Sequence, residues 1–542
     1  MTRPRTAPPA AGDALVLRAV APAAALAALV LVSVVLSPPA EAGRPGPAVG
    51  LEPLGTYAGG GFEESAAEIP AFDPGTDRVF VVNAQAGTVD VLDVSDPTTP
   101  TKVGELATPG ANSVAVAGGR VAVAEQAADV QAPGSVSFFD AATLARLSAV
   151  TVGSLPDMLT FTPDGRTLLV ANEGEPSGYG PGQTDPEGSV SVVDVRRGVP
   201  TQADVRTAGF GGFDAAALRA AGVRLSGPGA SVAQDLEPEY VTVDARSRTA
   251  WVSLQEANAL AVVDVRTATV TDVLPLGTKD HSVPGAGLDP SDRDGGTMIG
   301  TWPVRGLYMP DAVASYQSRG RTFVVTANEG DARDYFGYGD EARVSSLVLS
   351  PDVFGGAAGV AALQAPAALG RLTASTTSPT DVQGRVTEIH AFGARSFSVR
   401  DAEGRLVFDS GDQLEQVVAA RLPEAANSDN SENGSADSRS DNKGPEPEGL
   451  AVGRVAGRTY AFVGLERVGG IAVYDITVPS RSTFVDYVST RDFSGDLEAN
   501  GSDSGPEGLV FVPATSSPTG APLLVVGNEV SGTTTVFEVT RR

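Results

Sequence analysis

The chain contains no cysteine and only two histidines, His281 and His390. The first absence removes disulfides, thiolate chemistry, attachment through a lipidated cysteine and sulfur-ligated zinc. The second excludes catalysis built on several histidines. Basic residues are also scarce: 39 Lys and Arg stand against 66 Asp and Glu, a net charge of -27 at pH 7. Nucleic acid and anionic membranes are therefore poor partners. Long helical periodicity is missing outside the N-terminus and residues 357–369. Neither a P-loop nor a nucleophile elbow is found, and the stretches around Ser504 and Ser531 lack the hydrolase arrangement.

What is present is repetition. Residues 460–476 read YAFVGLERVGGIAVYDI and residues 523–539 read LLVVGNEVSGTTTVFEV. Both run through an apolar stretch, a Glu, a glycine-containing turn and an alternating strand. Five more versions begin at Phe80, Val121, Leu168, Trp251 and Phe323. Several short alternating strands in a period of about 40 residues or more are the mark of propeller blades. The expectation is an all-β protein, a seven-bladed β-propeller over residues 43–542. The last hairpin ends close to the C-terminus, while residues 51–57, LEPLGTY, resemble an outer strand with no hairpin before them. This N-terminal strand is expected to close the last blade.

Residues 1–42 carry Arg3, Arg5 and Arg18, an apolar run over 19–36 and the small-residue site Ala40-Glu41-Ala42. They read as an export signal peptide, removed to leave no stable membrane span; a retained single anchor is the alternative. Export without cysteine suggests a bacterial envelope or the medium, so a secreted, extracellular monomer is expected.

Two acidic series run through the repeats. The strand before each hairpin starts at Glu68, Asn112, Asp157, Glu239, Asp311, Glu448 or Glu507, usually after a proline. The second strands end at Gln85, Glu125, Glu173, Glu256, Glu329, Glu466 and Glu529. In an antiparallel pair these two positions share one end of the hairpin, so twelve carboxylates should ring the mouth of a central channel. Such charge needs bound cations, basic partners or raised pKa values. The expected metal ligands are Asp157, Glu173, Glu239, Asp311, Glu329, Asp331, Glu448, Glu466, Glu507 and Glu529, with calcium as the cation. An alternative, in which each Glu accepts backbone N–H bonds from the neighbouring blade, stays open. Asp289, Asp292 and Asp294 before Gly295 form a second candidate calcium loop, with a surface Asp-Gly turn as the other reading.

The insertions gather on the acidic face: residues 174–188, 281–296 and the largest, 330–395, within blade five. Residues 423–446, rich in Ser, Asn and Asp, read as a mobile loop, with metal ordering as the alternative.

The stretches ANEGDARDYFGYGDEARV, SDNKGPEPEGLAV, YAFVGLERVGGIAVYDI, FVDYVSTRDF, GPEGLVF and LLVVGNEVSGTTTVFEV resemble the bacterial choice-of-anchor I family of secreted or surface-attached propeller-like proteins. The sequence given stops at Arg541-Arg542 without a sorting tail, so free secretion is the expectation. Some relatives carry alkaline-phosphatase-like names, and the resemblance extends to calcium-dependent propeller phytases. It implies a second reading, a metal-dependent phosphoester hydrolase acting on a phosphorylated small molecule rather than a propeller that binds a cell-surface ligand. Glu448 or Glu507 would then ligate metal or take a proton. Arg333 and Arg467, and beside them Arg343, Arg395 and Lys443, are the candidate phosphate-binding cations.

Overall fold

The structure, a computed structural model, describes residues 49–542. The proposed signal peptide lies outside the described residues. Strands dominate and helices are few and short. Among the described residues, seven four-stranded antiparallel sheets follow one another, and six of them are built from strands in sequence order. The first strands of the seven are Pro70–Asp73, Ala111–Ala117, Pro156–Phe161, Pro238–Val243, Val313–Ser318, Pro447–Val455 and Pro506–Val512. Each touches the first strand of the next sheet, and Pro506–Val512 touches Pro70–Asp73. Repeated four-stranded sheets arranged this way are β-propeller architecture.

The middle strands are apolar on both faces because each sheet is covered on both sides. Val82 and Val91 of the first sheet pack with Val121 and Val123 of the second. Phe397 and Val399 of the fifth pack with Val463 and Tyr474 of the sixth. The series returns to its start, since Val79 and Leu92 of the first sheet share a core with Val525 and Val536 of the seventh. Buried strands of this type read as continuous Val- and Leu-rich runs.

The seventh sheet takes its outer strand from the other end of the chain. Val49–Ala58 pairs with Thr533–Arg541, from Val49 opposite Arg541 to Ala58 opposite Thr533. The pairing covers the backbone N–H and C=O groups that Thr533–Arg541 would otherwise present as an open edge.

The large insertion interrupts the fifth sheet between Arg321–Asn328 and Ser396–Asp401, which pair directly. It is not a bare loop. Its strand Ile389–Ala391 pairs in parallel with Val304–Leu307 of the preceding connection. Leu288, Val304, Leu349, Phe354, Leu369 and Ile389 enclose a small core of their own. The expected helical stretch forms Gly356–Leu363, and a second helix, Gln413–Arg421, was not anticipated. Among the described residues no helix is long and apolar enough to cross a membrane.

Candidate functional site

The first strands deliver their acids through a repeated distortion. In the third sheet Pro156 is paired with Asn172, but the next partners are Leu159 and Val170, so one extra residue is accommodated around Asp157. The same bulge surrounds Glu239, Glu448 and Glu507. A bulge re-aims the side chain it carries, here toward the channel. Leu155, Met309 and Glu446, each just before a proline, have φ of 44°, 41° and 48°. Left-handed backbone at non-glycine residues stores about 1–3 kcal/mol each and persists where the surroundings impose it.

That strained turn joins the two acidic series. Glu173 N donates to Leu155 O (2.9 Å), Gly330 N to Met309 O (3.0 Å), Glu466 N to Glu446 O (2.9 Å) and Glu529 N to Gly505 O (2.8 Å). The Asn before the acid fixes the other side. Asn172 Nδ2 donates to Ser189 and Ser191, and Asn328 Nδ2 to Ser396 and Ser398. The Ala-Asn-Glu repeat is thus a device that stops a strand and presents a carboxylate. Close approach completes it: a Cβ on Gly449 would lie 2.2 Å from Glu507 O, so the sixth and seventh sheets meet only around a glycine.

The result is a cavity of about 340 Å³ lined by Asp157, Glu173, Glu239, Asp311, Glu329, Asp331, Glu448 and Glu507. Glu466 stands beside it, accepting from Asn430 Nδ2 (2.7 Å), and Glu529 accepts from Ser65 Oγ (2.8 Å). The hydrogen bonds found on Glu329 come from Gln255 Nε2 (3.0 Å) and Lys443 Nζ (2.6 Å), side chains rather than the backbone N–H groups of the alternative reading. Asp311, Glu329 and Glu448 place carboxylate oxygens within 4.8 Å of one another, as do Glu329, Glu446 and Glu466. Glu239, Glu448 and Glu507 each keep one buried oxygen without a hydrogen-bond partner.

Depth inside the protein, compounded by neighbouring carboxylates, shifts these acids upward although several keep a wet face on the cavity. Burial and then Glu175 push Asp157 to about 7; burial, opposed by Lys443, holds Asp331 at about 7. Burial raises Glu466 to about 8 against the pull of Arg467, and burial with Glu529 raises Glu68 to about 8. Glu173, Glu239, Asp311, Glu448 and Glu507 stand well above the usual carboxylate range, from burial first and like charge second. Glu446 goes the other way. Burial would raise it, but Lys443, Arg439 and Arg467 outweigh that and hold it at about 2.

Of the five candidate cations, Lys443 and Arg467 line the cavity. Each is already engaged: Lys443 by Glu329 and Glu446, Arg467 by Glu446 (3.3 Å) and Glu466 (3.2 Å). Arg333 is fully buried and bound to Asp235 (2.6 Å) and Glu237 (2.8 Å), which takes it out of a phosphate-binding role. Arg395 is buried against Glu415 (2.7 Å) and Arg343 pairs with Asp441 (2.9 Å).

The second candidate loop is not arranged as expected. Asp289 is buried, accepts from Met298 N and is raised to about 7 by burial. Asp292 instead takes both teeth of Arg371, at 2.8 and 3.1 Å, which holds it below its ordinary value. Asp294 is raised by burial first and by the charge of Asp437 next, with Asp292 a lesser contribution. The three aspartates therefore do not converge, because Arg371 claims the middle one. The 423–446 stretch, read from composition as mobile, is tied down by Arg395 Nη2 on Ser440 O and Asn442 O (both 2.7 Å) and by Asn427 Nδ2 on Glu415 (3.0 Å). Polar residues satisfy one another there where composition offered no apolar core.

Glu446 and Glu237 do not belong to either repeating acidic series, and the sign of them in the sequence is Glu-Pro-Glu in the fourth and sixth copies.

With strands, strained turns and acidic cavity in place, the class is that of an acidic-faced β-propeller. A family model for the choice-of-anchor I domain matches residues 68–479, and the chain belongs to that family. It is 33% identical over 196 residues to Gigasin-3a of Magallana gigas, covering 33% of this chain and 68% of that protein. It is 32% identical over 304 residues to the mesenchyme-specific cell surface glycoprotein of Strongylocentrotus purpuratus, covering 48% of this chain and 37% of the glycoprotein's length. Among solved structures it is similar to the β-propeller domain of Myceliophteria thermophila Cps50 (Swd1), with 10% identity, TM-score 0.43, and coverage of 91% of this chain and 100% of that one.

Proposed function

We propose that the chain is a secreted or cell-surface propeller of seven blades, closed by its N-terminal strand, that binds calcium at the acidic mouth of its channel and uses the surrounding loops to hold a ligand. The observation that carries the reading is the group Asp311, Glu329 and Glu448, whose oxygens lie within 4.8 Å of one another. Oxygen ligands of calcium stand about 2.3–2.6 Å from the ion, so ligands on opposite sides are about 5 Å apart, and this group matches. The partnerless buried oxygen of Glu448 supplies the donor such an ion would use. The extracellular placement draws on the name of the sea-urchin relative, a cell surface glycoprotein.

The test is calcium titration of the purified chain followed by thermal denaturation. Bound calcium should raise the midpoint in proportion to the logarithm of its concentration, and Glu329→Gln with Glu448→Gln should abolish the rise. An unchanged midpoint at millimolar calcium would retire the reading.

A calcium-dependent phosphoester hydrolase is the second reading, favoured by Lys443 and Arg467 on the cavity wall. Both are engaged by carboxylates, so a phosphate would have to displace an ion pair to reach them. Calcium-dependent turnover of a generic phosphomonoester or phosphodiester, lost in Glu448→Gln, would establish the hydrolase; its absence beside calcium stabilisation would leave the binding protein.

A further inference from the structure

The bulges that deliver the channel acids also deliver the residue after each one. The register slips between Pro156 and Leu159 and again between Pro238 and Val241. Consecutive side chains, which point to opposite faces of a regular strand, can then both reach the channel. Asp157 with Met158 and Glu239 with Tyr240 line the cavity, and Ile69 and Ala312 add to its apolar wall. Carboxylate and hydrocarbon therefore lie side by side. A metal ion makes no use of the hydrocarbon, since calcium takes about six to eight oxygens.

Four acids of this cavity, Asp157, Glu173, Glu239 and Glu507, lie outside the proposed calcium group. Among the described residues no three of them bring oxygens within 4.8 Å of one another, so they do not share one metal ion. Nor, among those residues, is any of the four in an ion pair, in contrast to Glu329, which Lys443 Nζ reaches at 2.6 Å. Glu239 is 8% exposed and Ser113 1%, yet Glu239 Oε2 and Ser113 Oγ, both on the cavity wall, have no hydrogen-bond partner. Buried acceptors without a donor are costly. Acids spread around an apolar wall call for positive charges that are themselves spread, each carrying several N–H donors and joined by hydrocarbon. Lys443, an ammonium on an alkyl chain, already meets Glu329 in this way from the cavity wall.

We propose that the cavity binds an aliphatic polyamine, whose separated ammonium groups pair with Asp157, Glu173, Glu239 and Glu507 and whose methylenes lie against Met158, Tyr240 and Ile69. The volume of about 340 Å³ falls at the small end of the range of about 300–1,000 Å³ typical of small-molecule sites. The net charge of -27 favours the approach of a polycation. The inference shares with the proposed function the reading of this cavity as cation-binding, but uses none of the calcium group Asp311, Glu329 and Glu448 and stands whether or not calcium binds.

The experiment is calorimetric titration of the chelator-treated full chain with spermidine, in enough salt to screen the exposed acids. One spermidine per chain is expected, and Asp157→Asn with Glu239→Gln should weaken it by about 30-fold or more. Many weak sites, or a single site unchanged in the double variant, would overturn the inference. Should that variant fail to fold, hexaamminecobalt(III) decides the matter on the wild-type chain. It carries the same charge as spermidine in a compact form without methylenes, and it should bind at least about tenfold more weakly; equal or tighter binding would leave charge alone as the cause and sink the polyamine site. Calcium titrated in parallel separates the two readings. Spermidine binding without a calcium response upholds the inference and retires the calcium group, whereas a calcium response without spermidine binding does the reverse.

Discussion

Lys443 Nζ lies 2.6 Å from Glu329 Oε1 and 3.0 Å from Glu446 Oε2, so one ammonium joins the polar 423–446 stretch to the end of a fifth-sheet strand. Lys443 and Glu329 are both mostly buried. Replacing Lys443 by Met leaves Glu446 with two cationic partners but strips Glu329 of its only ion pair among the described residues. The expected loss is about 3 kcal/mol in calcium-free buffer. Denaturant unfolding measures it, and calcium should restore part of the loss because the ion can take over the unpaired carboxylate.

The pH dependence of the calcium-free protein should run opposite to that of an ordinary salt-bridged domain. Asp157 and Asp331 sit at about 7, and Glu68 and Glu466 at about 8, above the roughly 4 of an unfolded carboxylate. Between about pH 4 and pH 8 the folded chain therefore binds more protons than the unfolded one, and stability falls as pH rises through that window. Calcium competes with those protons and should bind more tightly at pH 8 than at pH 5. Melting curves at both values, with chelator and with calcium, decide it; a chelated protein that is more stable at pH 8 would sink the idea.

Glu448→Gln separates repulsion from ligation. Glu448 is raised by burial and then by Glu466, Glu329 and Glu507, so the amide relieves like charge in the absence of metal. The calcium-free variant should melt no lower than wild type at pH 8, while its calcium affinity falls by about 10–100-fold. Equal affinity in the two proteins would remove Glu448 from the ligand set.

Phe462→Ala is the control for packing. Phe462 is fully buried and stacks on Phe511 of the seventh sheet at 5.7 Å with an interplanar angle of 15°. Its removal should cost about 3–5 kcal/mol. The calcium-induced increment in melting temperature should survive, since the ring lies in the core between sheets and not on the cavity.

Much of the architecture was legible in the sequence because the hairpin is written repeatedly and its periodicity is local. The strands, the pairing of Val49–Ala58 with the last hairpin and the resumption of the fifth sheet at Ser396 all follow from alternating patterns and from one missing outer strand. The two acidic series were equally readable, since antiparallel pairing alone puts Asp157 and Glu173, or Glu448 and Glu466, at one end of a hairpin.

What the tertiary structure decided is which charges meet. Whether Arg333 faces the channel or Asp235 and Glu237, whether Asp292 joins Asp289 or Arg371, and which carboxylates Lys443 reaches all depend on contacts between segments far apart in the chain. No local periodicity encodes such pairings. The 423–446 stretch makes the same point: its composition promises no apolar core, yet buried Asn427, Asn430 and Ser440 find their partners on Glu415, Glu466 and each other's segment. Sequence determined where the acids would gather, because strand register is a local property; the fold alone determined how their charge is balanced, because electrostatic pairing is set by distance in space.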